Sequence, residues 1–154
     1  MTTATTASDV FAMAIGMERV GKDFYESLAV TGNDAKVCEF CMRAAREEAD
    51  HLAVFQQMRQ QWAKSANAGP TGAQYPAALE TWAKAGIQPN PAAAQKVALA
   101  GNVKDALNMA IQMEKDAILF YGGLAVNLPG LAQVIQGIVE QEQKHLTALQ
   151  WLVR

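Results

Sequence analysis

The chain of 154 residues sets 13 Lys+Arg against 15 Asp+Glu, a formal net charge of −2 with no Lys/Arg cluster, which argues against nucleic acid or an anionic membrane as its main partner. It is 51% hydrophobic and only 18% charged, rich in Ala, Met and Gln and poor in β-branched runs. That is the composition of one helical-bundle domain over 1–154, large enough to build a core without disulfides. No apolar run reaches the ~18 residues of a membrane span, and Met1–Ser8 lacks the basic and apolar regions of a secretory leader, so a cytoplasmic protein is expected.

Ser8 or Asp9 can cap a first helix near 9–30, stopped by Thr31-Gly32-Asn33. Its seam reads Phe11, Ala14, Glu18, Gly21, Tyr25, Leu28 at steps of three and four, so a carboxylate lies on the buried stripe. Asn33 or Asp34 can start a second helix near 34–65, with the seam Cys41, Ala44, Glu48, His51, Phe55, Met58, Trp62. Cys38 and Cys41 form a Cys-x-x-Cys, but there is no second pair to complete a zinc site and no preceding strand, so both read as small packing residues.

From Asn67 to Gly101 the pattern dissolves in a segment holding Pro70, Pro76, Pro89 and Pro91. A connection this long reads as a crossover, 67–101, that packs along the bundle through Tyr75, Leu79, Trp82 and Ile87. A short helix is expected near Ala77 to Lys84, and Ala92 to Ala100 can add a turn or two. Asn102 caps a third long helix near 102–126 with the seam Leu107, Ala110, Glu114, Ala117, Tyr121, Leu124. After Leu128-Pro129-Gly130 a fourth, near 131–152, carries Leu131, Ile135, Ile138, Glu142, His145, Leu149, Leu152.

The halves repeat. Met17-Glu18 recurs as Met113-Glu114, Phe24-Tyr25 as Phe120-Tyr121 and Leu28-Ala29 as Leu124-Ala125, all at an offset of 96, while His51 to His145 is an offset of 94. The chain thus reads as a duplicated helical hairpin, 8–66 and 102–152, forming an antiparallel four-helix bundle related by a pseudo-twofold axis. Counted from the hairpin loops at ~1.5 Å per residue, Glu18 stands level with Glu48 and Glu114 with Glu142. Each hairpin therefore sets one Glu opposite one Glu-x-x-His, whose two side chains share a face.

Four carboxylates converging in a core repel one another into protonation unless positive charge sits between them, and two divalent cations balance four carboxylates. With one imidazole nitrogen for each ion, the mixed N/O set suits iron or manganese better than a thiolate-rich zinc site. The candidate ligands are Glu18, Glu48, His51, Glu114, Glu142 and His145, with the ions ~3.5–4 Å apart. Tyr25 and Tyr121 lie seven residues after a ligand Glu, placed either to hydrogen-bond a ligand or to fill core. Trp62, Trp82 and the methionines read as packing, and Glu47 and Glu140 as solvent-facing, although either could be a spare carboxylate.

On these residues the chain resembles the rubrerythrin-like branch of the ferritin-like superfamily, and its ligand pattern is similar to that of bacterioferritin. The resemblance covers about 8–66 and 102–152. It implies that Glu18, Glu48 and His51 serve one iron and Glu114, Glu142 and His145 the other, with Glu48 and Glu142 bridging; manganese or zinc could take the same places. It implies oxygen or peroxide chemistry: a di-iron oxidoreductase acting on peroxide or dioxygen. Rubrerythrins carry a further Glu one turn after the third-helix ligand, where this chain has Ala117, which implies a plainer, more symmetric site. They also carry a rubredoxin-like module, and none follows Arg154, so electrons are expected from a separate donor protein or from ferrous iron. The competing readings are a ferroxidase for iron storage and a non-redox metal-binding interaction protein. Phe40, Trp151 and Met109, off the seams, lead to the expectation of a homodimer.

Overall fold

The computed structural model describes residues 7–64 and 90–154. Five α-helices account for most of them: α1 Ala7–Thr31, α2 Ala35–Lys64, α3 Pro91–Leu99, α4 Val103–Asn127 and α5 Ala132–Leu152, with a single 3₁₀ turn, Pro129–Leu131, before the last. Among the described residues there is no strand, and no single helix is long and apolar enough to cross a membrane. The expected helix at Ala77 to Lys84, together with Tyr75, Leu79, Trp82 and Ile87, lies outside the described residues.

The caps follow from side-chain chemistry. Asp34 Oδ1 accepts from the backbone N–H groups of Lys36 (2.9 Å) and Val37 (3.1 Å), satisfying donors that α2 leaves unpaired at its start. Asn102 does the same for α4 through Asp105 N, at 3.1 Å. Asn90 accepts from Ala93 N at 3.1 Å and caps α3, where Pro91 sits at a position that needs no donor. The start of α1 differs from expectation. It is helical already at Ala7, so Ser8 and Asp9 lie in its first turn and not ahead of it.

α2 runs back along α1, which sets Phe11 near the start of one against Trp62 near the end of the other, ring centroids 6.1 Å apart. The turn is tight: a Cβ on Gly32 would lie 2.8 Å from the Leu28 carbonyl oxygen. α4 and α5 form the second hairpin. α3, the C-terminal end of the expected crossover, is a full helix seated against α1 and α4 through buried Ala94 and Ala98. Ser27 and Gln95 hydrogen-bond each other at 3.0–3.1 Å, and Thr31 Oγ1 donates to the Ala98 carbonyl at 3.2 Å, fixing α3 to α1. Gly101, at φ +78°, then turns the chain into α4.

Two apolar clusters fill the bundle. One gathers Phe11, Phe55, Tyr121, Leu124 and Ile135; the other gathers Phe24, Tyr25, Cys41, Leu107 and Leu149. The residues of the candidate centre lie between them. Phe55 is fully buried, its ring 4.9 Å from that of Tyr121. Phe55→Ala is expected to cost about 3–5 kcal/mol in urea unfolding of the metal-free protein.

Of the three residues behind the dimer expectation, Phe40 is not on the surface. It is 4% exposed, with its ring edge-on to Tyr25 at 5.7 Å and to His145 at 6.1 Å. The reason is that α2 faces α1 on one side and α5 on the other, so its buried arc is wider than one heptad seam. Met109 is half-buried, whereas Trp151 is 67% exposed, with the Arg154 guanidinium 4.4 Å from its ring centre.

Candidate metal centre

Among the described residues the buried polar and charged side chains are Glu18, Glu48, His51, Glu114, Glu142 and His145, each at most 4% exposed. α1 and α4 supply one Glu each, and α2 and α5 supply one Glu-x-x-His each. Their ligand atoms form two overlapping groups, Glu18/Glu48/His51/Glu142 and Glu48/Glu114/Glu142/His145, in each of which every atom lies within 4.8 Å of the others.

The overlap has a geometric cause. Glu48 turns Oε2 to His51 Nδ1 at 3.6 Å and Oε1 to His145 Nδ1 at 3.3 Å. Glu142 turns Oε1 to His51 Nδ1 at 3.2 Å and Oε2 to His145 Nδ1 at 3.1 Å. Glu18 reaches only His51, at 3.5 Å, and Glu114 only His145, at 3.4 Å. Two carboxylates are therefore shared between the groups and two are private. The sharing that the resemblance implied for Glu48 and Glu142 matches the side-chain directions.

Both imidazoles point Nδ1 inward and Nε2 outward. His51 Nε2 is 2.5 Å from Gln141 Oε1, and His145 Nε2 is 2.5 Å from Glu47 Oε2. Each acceptor immediately precedes the shared Glu of the opposite hairpin and fixes the ring so that Nδ1 is left for a ligand role. Here the sequence reading is corrected, because Glu47 is half-buried and bonded to His145 and does not simply face solvent. Glu140 is exposed, as expected. Gln141 was missed. Its available signal was its place four residues before His145, matching that of Glu47 before His51.

The two tyrosines are hydrogen-bonded and do more than fill core. Tyr25 donates to Glu114 Oε1, and Tyr121 donates to Glu18 Oε1 at 2.5 Å, so each hairpin's Tyr holds the other hairpin's private carboxylate. Burial, and then the charges of Glu114 and Glu18 respectively, push both phenols well above their usual range, which keeps them donors.

The electrostatics of the centre are those of four carboxylates and two imidazoles crowded in a core. Burial first, and the neighbouring Glu48 charge second, hold Glu18 well above the normal carboxylate range; burial and Glu142 push Glu114 up to about 8. For the histidines, burial opposes the charged ring, but the carboxylates of Glu142, Glu18 and Glu48 around His51, and of Glu114, Glu142 and Glu48 around His145, more than offset it, so both are raised. Glu18 Oε2 is buried without a hydrogen-bond partner. A buried acceptor without a donor is unfavourable by about 1–3 kcal/mol. The donor set is oxygen and nitrogen only, of the kind that holds iron or manganese, and a pair of divalent cations fits it.

Cys38 and Cys41 stand apart from this centre. Cys38 Sγ lies 3.4 Å from the Gly32 carbonyl, and burial pushes the Cys41 thiol up to about 12, so it stays protonated and packs as a small apolar group.

No family model and no curated protein matches the sequence. The structure aligns with the crystal structure of a Thermotoga maritima protein, described as a candidate ferritin-like diiron-carboxylate protein, at a TM-score of 0.75 over 100% of this chain and 98% of that one, with 24% sequence identity. The likeness is one of fold: this chain is an all-α, ferritin-like helical bundle.

Proposed function

We propose that this chain is a rubrerythrin-like non-haem di-iron oxidoreductase, which reduces peroxide or dioxygen with electrons from a separate donor protein. The observation that carries the reading is the division of labour among four buried carboxylates: Glu48 and Glu142 each turn one oxygen to each half of the centre, while Glu18 and Glu114 serve one half each. The description of the aligned protein as a diiron-carboxylate protein supports it. Glu18, Glu48, His51 and Glu142 would hold one iron, and Glu48, Glu114, Glu142 and His145 the other.

A ferrous pair bound there would supply two electrons to peroxide, which with two protons gives two waters. The four carboxylates would neutralise the pair's four positive charges in a low-dielectric core. Tyr25 and Tyr121 keep Glu114 and Glu18 aimed inward, and Glu47 and Gln141 hold the rings. The two apolar clusters keep bulk water from the ends of the bundle.

The deciding experiment is anaerobic loading with ferrous iron, followed by one equivalent of hydrogen peroxide per iron pair. Consumption of the peroxide and growth of near-ultraviolet ferric absorption are expected. Two bound irons that respond to neither peroxide nor dioxygen would make this a metal-binding protein without redox function.

A homodimer belongs to the same proposal. Its support is exposed apolar surface at Trp151, Leu119 and Val126, of which 60–77% is accessible. Light scattering at micromolar concentration is expected to give twice the chain mass of 16.6 kDa.

A further inference from the structure

Beside the candidate centre, between α1 and α4, lies a cavity of ≈ 320 Å³. The space is half open to the surface and is large against the ~30 Å³ that one water occupies in the liquid, so it has room for a small molecule beside the buried carboxylates. Its floor is the four carboxylates Glu18, Glu48, Glu114 and Glu142. Its lining follows the internal repeat: Met17 matches Met113, and Gly21 matches Ala117, both pairs at the offset of 96.

Gly21 and Ala117 explain why the space exists. Each lies three residues after a private carboxylate, so a side chain there would project over the centre from the same helix face. Gly21 has none and Ala117 only a methyl. A Cβ on Gly21 would meet Glu48 Cδ at 3.6 Å and Oε1 at 3.8 Å, ordinary contact that leaves room for a methyl and little else. Small residues at both positions leave the shared Glu48 bordering the space, with no long side chain from α1 or α4 laid between them.

The lining selects the occupant. Met17, Met113, Met109, Val20 and Ala94 make the walls apolar, and thioethers adapt to irregular shapes. Among the described residues no Lys or Arg lines the cavity, so an anion finds no partner among them; a cation would compete with a metal pair that neutralises the floor. Polar groups occur at the rim, where Gln112 Nε2 donates to Asp116 Oδ1 at 2.8 Å and Asn90 stands nearby. An apolar body with a few polar groups at one end is the usual make-up of a small-molecule site.

We propose that this cavity binds an uncharged, predominantly apolar small organic molecule against the face of Glu48 between α1 and α4. The proposal rests on the di-iron reading and gives that centre a second substrate besides peroxide or dioxygen. The test uses the full chain loaded with Mn(II), with 1-hexanol, hexanoate and hexylammonium as probes and the Zn(II)-loaded protein as the diamagnetic reference. Saturable paramagnetic relaxation of the 1-hexanol protons is expected, with hexanoate and hexylammonium binding at least about tenfold more weakly. Ala117→Phe, which fills the cavity from α4, is expected to weaken 1-hexanol by at least about tenfold while metal content is unchanged. Gly21→Leu fills it from α1 and serves if the first variant misfolds by circular dichroism. Full metal content with no relaxation of 1-hexanol, or with relaxation that both variants leave intact, overturns the proposal. If the protein takes up no metal, the di-iron reading fails, and calorimetry of 1-hexanol with the metal-free chain and the same variants still decides the cavity.

Discussion

Glu48→Ala is expected to reduce bound metal from two ions per chain to none, whereas Glu18→Ala is expected to leave one. The difference follows from the sharing of carboxylates: Glu48 belongs to both groups of ligand atoms and Glu18 to one. Removing Glu48 takes an oxygen from each ion and leaves two divalent charges facing three carboxylates in a buried site, where uncompensated charge is strongly unfavourable. Glu142→Ala should behave like Glu48→Ala, and Glu114→Ala like Glu18→Ala. Glu140→Ala, at an exposed position on the same helix as Glu142, should retain both ions. Equilibrium dialysis with elemental analysis reads the stoichiometry. Equal losses from Glu18→Ala and Glu48→Ala would contradict the shared arrangement. Circular dichroism of the metal-free variants separates loss of metal from loss of fold.

Loading two divalent ions at about pH 7 is expected to release about four protons. Glu18 and Glu114 retain theirs because burial and neighbouring carboxylates raise them, and His51 and His145 retain theirs because the surrounding carboxylates outweigh burial. Four single positive charges leave as two double charges arrive, so the charge of the cluster does not change. A pH-stat titration counts them. Release of only one proton per ion would mean that the centre does not exchange charge in this way.

The same shifts set the stability of the metal-free protein. The folded values of Glu18 and Glu114 lie above the unfolded value of 4.5, so their contribution is complete below pH 4.5 and is lost as pH rises, for Glu114 through about 8. His51 and His145 are raised above 6.5, so their contribution is complete below that pH and is likewise lost on going up. Between about pH 5 and 8 the metal-free protein should therefore melt at progressively lower temperature, each group weakening it by up to ~1.4 kcal/mol per pH unit. The metal-loaded protein should gain affinity for its ions over the same range, because fewer protons compete. Thermal scans of both forms across this window check the opposite slopes.

The centre was legible because it violates the pattern around it. Glu18, Glu48, His51, Glu114, Glu142 and His145 interrupt apolar seams, and a repeat makes each interruption occur twice at the same height. Helix caps at Asp34 and Asn102 were legible because a side chain there bonds its own backbone. What escaped depends on neighbours that a helix's own period does not encode. Glu47 looks solvent-facing on α2 and is half-buried only because His145 on α5 lies opposite. Phe40 is inside because α2 has two neighbours. The short helix α3 was legible, but its seating against α1 and α4 escaped because Ala94 and Ala98 carry little signal. The cavity escaped for a different reason: Gly21 and Ala117 are small, and whether a small residue leaves a space or lets helices close up is decided by the distance between helices.

In two halves alike in six ligands and two tyrosines, the histidines meet different acceptors at matched positions, where Glu47 accepts from His145 and Gln141 from His51. A carboxylate draws the ring proton toward itself more strongly than an amide carbonyl, which makes His145 Nδ1 the more electron-rich donor. With iron on both sides, the ion beside His145 and Glu114 would be the more easily oxidised, and the ion beside His51 and Glu18 the more easily reduced. A duplicated frame would in this way acquire a polarity, with one side of the pair from which electrons leave and another at which they return.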